Sequence, residues 1–255
     1  MEFEIYQGVL KRYSGTKARV RVPEEVHTVA DWAFFGCSCL QSLTLPDTVK
    51  KIGNYAFYQC KNIKEIRLPA QIEQVGDGLF SGCSCLLALS IPEGVKKIGT
   101  PFFKGCVSLE TLKVPAGTDR IVPGAFSDLR SLNRLSCRMR LLHGHPEEVR
   151  QIAALTYLAD PPEAKDRLME YYVDQNREVL SETAVKFGDV EALNALWTQV
   201  RPDRQELLSR IDESRNRNQL EMTAMLMEYS QYGVSSRPGR AQDILRKIEE
   251  DDLLL

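Results

Sequence analysis

The stretch Pro46-Asp-Thr-Val-Lys-Lys-Ile-Gly-Asn-Tyr-Ala-Phe57-Tyr-Gln-Cys60-Lys-Asn-Ile63-Lys-Glu-Ile66-Arg-Leu68 decides the fold, because the chain says it again and again. Prolines return every 23 positions as Pro23, Pro46, Pro69, Pro92 and Pro115. Phe34, Phe57, Phe80, Phe103 and Phe126 each follow their proline by eleven places, and Cys37, Cys60, Cys83 and Cys106 by fourteen. Leu40, Ile63, Leu86, Leu109 and Leu132 hold the next slot, and Leu43, Ile66, Leu89, Leu112 and Leu135 the one after. A fixed period between about 20 and 50 residues is the mark of a stacked solenoid. The repeated residues are apolar, so they build a wall; what the wall binds is carried by the positions between them.

Inside one unit, segments such as Leu43-Thr44-Leu45 alternate as a short half-buried strand does. The proline that follows lacks an amide donor and ends the strand. Gly53, Gly76 and Gly99 follow the inner Ile or Val and are expected at bends with positive φ. The threefold spacing of Ala-Phe-x-x-Cys-x-x-Leu predicts a turn of α- or 3₁₀-helix on the wall opposite the strands. One unit cannot bury its own apolar face, so at least three must stack, with parallel strands about 4.8 Å apart. Residues 1–138 thus read as a solenoid of about five 23-residue repeats with a parallel sheet, and residues 1–19 as an N-terminal cap.

These residues resemble the leucine-rich repeats of the BspA type, a bacterial family with units close to 23 residues. The resemblance covers residues 20–137. It implies a curved solenoid and a binding or adhesive role without catalysis.

After Arg138 the regular prolines stop and a 3.6-residue pattern begins. Val149, Ile152, Ala153, Leu155 and Leu158 mark one face of a helix. Asp160-Pro161-Pro162 breaks it, with Asp160 the expected N-cap of the next helix. Leu168-Met169-Glu170-Tyr171 recurs as Leu226-Met227-Glu228-Tyr229, and Asn218-Gln219-Leu220-Glu221 repeats the slots of Gly188-Asp189-Val190-Glu191. This weaker period of ~30 resembles ankyrin-type helical hairpins, although the usual Thr-Pro-Leu-His opening is missing. Residues 139–231 therefore read as an all-α helical-repeat domain, and 232–255 as a linker with a short C-terminal helix.

Composition is that of an ordinary globular protein: 27% charged, 43% hydrophobic, net charge −2. Residues 1–138 carry 18 Lys and Arg against 13 Asp and Glu, whereas 139–255 carry 15 against 22, a contrast that fits a boundary near 138. Neither half is basic enough to imply nucleic acid. No run approaches the ~18 apolar residues of a membrane span. The opening Met1–Tyr13 carries charges at Glu2, Glu4, Lys11 and Arg12 where an export signal would be apolar, and the thiols read as reduced, so the expectation is a cytoplasmic protein, or an exported one if a leader was removed.

No motif for catalysis, cofactor or phosphate binding is present, and the expectation is a protein that is not an enzyme and holds no cofactor or metal. The cysteine ladder reads as buried structural thiols, since zinc needs four ligands around one point and a ladder sets its sulfurs in a line. His143-Gly-His145 reads as a junction loop. The candidate partner-binding residues form two groups. Trp32 and Phe35, then Tyr55 and Tyr58, stand at matching slots of successive repeats and would gather four rings, unless the cap folds over them. Glu65, Arg67, Leu87, Ala88, Lys113 and Arg134 stand on the strand face, which is either simply solvated or a protein-recognition surface. The reading is a bacterial protein–protein interaction scaffold; the alternative is a surface adhesin or carbohydrate binder that uses the rings.

Overall fold

The computed structural model describes residues 2–126, 128–162, 165–199 and 201–232. The expected linker and last helix therefore lie outside the described residues, apart from Tyr232. The chain divides into two compact units, Met1–Ala153 and Ala154–Leu255.

The first unit opens with a hairpin of β1 (Phe3–Tyr6) and β2 (Val9–Tyr13). Each coil then lays down a pair of short strands: β3 (Arg19–Arg21) with β4 (Thr28–Val29), β5 (Ser42–Thr44) with β6 (Lys51–Ile52), β7 (Glu65–Arg67) with β8 (Gln74–Val75), β9 (Ala88–Ser90) with β10 (Lys97–Ile98), and β11 (Thr111–Lys113) with β12 (Arg120–Ile121). Strand β13 (Arg134–Ser136) closes the series. The odd strands from β3 onward form the main parallel face, in two runs, β3-β5-β7 and β9-β11-β13. The even strands form a second parallel face on the other side of the proline turn, in runs β2-β4-β6-β8 and β10-β12, with β1 added antiparallel at the edge of β2. From β3 on, every pairing joins residues 23 apart, as in Leu43 to Ile66 and Leu112 to Leu135. The chain is thus an α/β repeat protein: a leucine-rich-repeat solenoid followed by helical hairpins.

The core is a line of rings. Phe34, Phe57, Phe80 and Phe103 are fully buried, and successive centroids lie 5.5, 5.6 and 6.4 Å apart, with Phe126 a further 6.3 Å on. Tyr13 packs at a tilt against Phe34 at 5.4 Å and Phe3 against Tyr13 at 5.0 Å, so the hairpin caps this line. His145 caps the other end, 4.9 Å from Phe126. Spacing widens where Leu79 and Phe102 take a slot that is alanine in Ala33, Ala56 and Ala125. Both sheets are interrupted near this step, while turn amides such as Phe80 N–H still bond across it, to Phe102 O at 3.1 Å.

Three expectations are corrected here. The Ala-Phe-x-x-Cys-x-x-Leu run is not helical. It is a chain of tight turns, closed by bonds such as Cys60 N–H to Phe57 O and Tyr58 N–H to Tyr55 O. The alternate amides point out of the coil: Tyr55, Phe57 and Gln59 N–H donate to Asp77, Leu79 and Ser81 of the next coil. An amide given to a neighbour is lost to a helix, so stacking overrides the local threefold pattern. Second, Gly53, Gly76 and Gly99 do not have positive φ. Gly76 is needed for close approach: a Cβ there would lie 2.6 Å from Asn54 Cα of the preceding coil. Third, the stack holds six coils, not about five. Leu10 pairs with Val29, 19 residues on, and Tyr13 takes the phenylalanine slot. The first coil is four residues short, which hid it from a fixed period. Residues 1–19 comprise this degenerate coil and β1, which covers an edge of the second face.

After β13, the 3₁₀ turn η1 (Met139–Leu142) buries Met139, Leu141 and Leu142, and α1 (Glu147–Ala159) follows with all five expected apolar residues buried. In the second unit, α2 (Arg167–Gln175) is capped by Asp166, whose carboxylate accepts from Leu168 and Met169 N–H; Asp160 instead ends α1, its N–H bonded to Thr156 O. Helices α3 (Arg177–Phe187) and α4 (Val190–Gln199) form one hairpin, α5 (Arg204–Asn216) and α6 (Leu220–Tyr232) another. Their turns match residue for residue. Gly188 and Asn218 both adopt the left-handed conformation, with φ 69° and 55°. Asp189 N–H reaches back to Ala184 O as Gln219 N–H does to Ser214 O. Arg210 ties the hairpins together by donating to Ser181 Oγ at 3.1 Å. The Leu-Met-Glu-Tyr recurrence is not structural: Leu168 and Tyr171 are exposed, Leu226 and Tyr229 buried.

Phe57→Ala removes a ring held between two others and should lower the stability of the solenoid by ~3–5 kcal/mol in urea unfolding, with a broadened transition as neighbouring coils uncouple. An unfolding curve superimposable on wild type would show that this ring is not a core element.

Candidate functional site

The four rings named from the sequence come together. Trp32 stacks on Tyr55 at 4.5 Å and 11°, and Phe35 on Tyr58 at 5.7 Å and 8°. The two stacks meet edge to face, with Trp32 5.5 Å from Tyr58. The cap does not cover them. Its rings lie on the Phe34 line, while Trp32 remains 46% and Phe35 56% exposed.

The backbone beneath them is unusual. Trp32 and Tyr55 have φ of 60° and 53°. The same slot is glycine at Gly78 and Gly124, both also left-handed. A bulky residue there carries about 1–2 kcal/mol of strain that glycine avoids. Two coils accept that strain to present a ring.

The ring wall ends at Tyr55 and Tyr58, and a recess of ≈ 530 Å³ begins. Gly78, Ser81 and Gly82 follow in the next coil, then Pro101, Lys104 and Gly105. Tyr55 lies flat against Gly78, where any Cβ would strike its ring. Gln59 lays its amide over Gly82. Lys104 and Asp128 close the far side, Asp128 Oδ2 accepting from Gly105 N–H at 3.0 Å. The sequence reading missed Gln59, Ser81, Lys104 and Asp128, because they share no residue type. The available signal was that small residues succeed the rings at slots 78 and 81.

The remaining candidates belong to a different surface. On the main sheet, register aligns Ser42 with Glu65 and Thr44 with Arg67, and Ala88 with Thr111 and Arg134, Ser90 with Lys113 and Ser136. Glu65, Arg67, Ala88 and Lys113 are exposed, Arg134 is half-buried, and Leu87 is 44% exposed beside them. The two groups therefore do not form one site. A side-chain ladder not foreseen from the sequence runs from Asp31 to Asn54 to Asp77: Asp31 Oδ1 accepts from Asn54 N–H at 2.7 Å, and Asn54 Oδ1 from Asp77 N–H at 2.9 Å.

The cysteines stand in file. Cys60, Cys83 and Cys106 donate their thiols to the carbonyls of Phe34, Phe57 and Phe80 at 3.0–3.2 Å. Burial pushes the Cys83 thiol up, and Cys106 up to about 12. These side chains work as packing groups, one per coil. Cys39 by contrast is exposed.

The repeats match the model of the BspA type leucine rich repeat region, in six copies over residues 5–133. The chain belongs to this family. Similar solved structures include a leucine rich cell surface protein from Faecalibacterium prausnitzii A2-165, at 30% identity and TM-score 0.49, over 53% of this chain and 37% of that one. A leucine-rich repeat protein from Eubacterium ventriosum ATCC 27560 shows 24% identity and TM-score 0.47, over 51% and 36%. The T. pallidum leucine rich repeat protein shows 26% and 0.41, over 50% and 72%. The BspA-type chain thus spans little more than a third of the first two. No curated protein matches it.

Two outcomes follow from these groups. A thiol reagent applied to native protein should modify Cys39 and spare Cys60, Cys83 and Cys106 until unfolding, read by peptide mass; early labelling of the three would contradict their burial. His145 is buried against Phe126, and burial, partly offset by the backbone of Ile121, lowers its affinity for protons. Below the ordinary value near 6.5 the unfolded chain takes up a proton that the folded one refuses, so stability should fall as pH drops from about 6.5. His145→Phe should weaken that acid dependence in urea titrations at pH 7.5 and 5.5; an unchanged dependence would place its origin elsewhere.

Proposed function

We propose that this BspA-type chain is a non-catalytic interaction scaffold whose main strand face holds a protein partner. The observation that carries this reading is the pair of outward rows Ala88–Thr111–Arg134 and Ser90–Lys113–Ser136, held in register across three paired strands, with Glu65 and Arg67 at the same slots of the preceding coil. Side chains set on paired strands are already ordered, so binding immobilises little of the backbone beneath them. Leu87 and Ala88 supply a small apolar spot within a rim of both charge signs, the pattern of a protein interface. The repeated helical hairpins of the second unit, ankyrin-like in period, are of an interaction-type architecture as well.

The test is affinity capture from a native lysate with wild type and with an Arg67→Glu/Leu87→Glu double variant, neither position being buried. The expected result is one or more partners enriched by wild type and lost with the variant. Identical recovery by both would remove the strand face from the account.

A further inference from the structure

We propose that the recess beside Tyr58 is a separate binding site for a neutral or N-acetylated pyranose, a sugar ring seated on the open face of Tyr58. The reading does not depend on the strand face. One face of Tyr58 is taken by Phe35 and its edges by Trp32 and Tyr55. The next side chain in its row is Ser81, too small to cover the other face, and the one after is Lys104. The gap between Tyr58 and Lys104 is therefore two coil steps, about 10 Å at the parallel-strand spacing. That width admits one ring stacked about 4 Å from the aromatic plane, over Ser81 and beside the Gln59 amide that lies on Gly82.

The lining has the chemistry a sugar needs. A pyranose offers a face of C–H groups to an aromatic ring and hydroxyls around its rim. From Tyr58 to its far end the recess is lined by an amide (Gln59), a largely buried hydroxyl (Ser81), an ammonium two coils on (Lys104) and a carboxylate one coil further (Asp128), both donors and acceptors. The Lys104 and Asp128 charges oppose each other, which favours an uncharged polyol over an anion or a cation. The left-handed strain at Trp32 and Tyr55 is the cost of building the wall, since glycine serves the same slot elsewhere.

The experiment titrates full-length protein with chitotriose, cellotriose, maltotriose and a sulfated disaccharide, read by saturation-transfer NMR on the sugar protons and by tryptophan fluorescence. An immobilised glycan array run beside it separates free oligosaccharide from polymer-borne ligand. At least one neutral sugar should bind, more tightly than the sulfated probe. Tyr58→Ala and Ser81→Tyr, the second of which extends the ring row into the recess, should each weaken binding by about tenfold or more. Trp32→Gly places in the slot the residue that other coils use there, so it keeps the fold while loosening the wall, and should weaken binding less. Leu87→Glu should leave it unchanged. Absence of binding to all probes in both formats, or full binding by Ser81→Tyr, overturns the proposal. So does capture of a protein that Tyr58→Ala abolishes and Leu87→Glu does not, which would make the recess a protein hot spot.

Discussion

The structure rests on each coil using its neighbour as its hydrogen-bonding and packing partner. Half the turn amides leave their own coil, three thiols do the same, and the phenylalanine of each coil has the next one for its wall. No coil can satisfy these groups alone. The 23-residue period is the consequence: from β3 on, each bonding and packing slot must face the same slot of the copies on either side. The ends show the same constraint from outside, since an unpaired coil must be closed, by Tyr13 and Phe3 at one end and by His145 at the other.

That dependence explains what the sequence could and could not disclose. Slots defined by repetition were legible: the ring line, the file of thiols, the strand register and the gathering of Trp32, Phe35, Tyr55 and Tyr58. The paired turns at Gly188 and Asn218 were legible too, because only a few residue types tolerate that backbone. What failed were inferences from local rules against a stacking demand. The threefold spacing suggested a helix, yet the amides were claimed by another coil. The glycines at 53, 76 and 99 suggested a left-handed bend, whereas backbone crowding explains Gly76. The opening coil escaped because it is four residues short. The recess was invisible because it is made by what is missing after Tyr58, and an absence of bulk at Ser81 and Gly82 carries no motif.

The same architecture separates support from recognition. Apolar slots point inward and are fixed by packing; outward slots are free to differ from coil to coil, as Glu65, Ala88, Thr111 and Arg134 do in one row. A solenoid of this kind presents several surfaces at once, each a stripe along the stack, and two of them here differ in character: a mixed-charge strand face and a ring-walled recess over strained turns. Membership in the BspA-type family accounts for the scaffold. The chemistry of the stripes belongs to this chain.

Residue-resolved native-state hydrogen exchange tests the central claim most directly. If coils are held by one another, the outward-donating amides of Phe34, Phe57 and Phe80 exchange together, through a single cooperative opening. Exchange of Phe57 N–H at a rate unrelated to those of Phe34 and Phe80, or as fast as an exposed loop, would contradict it.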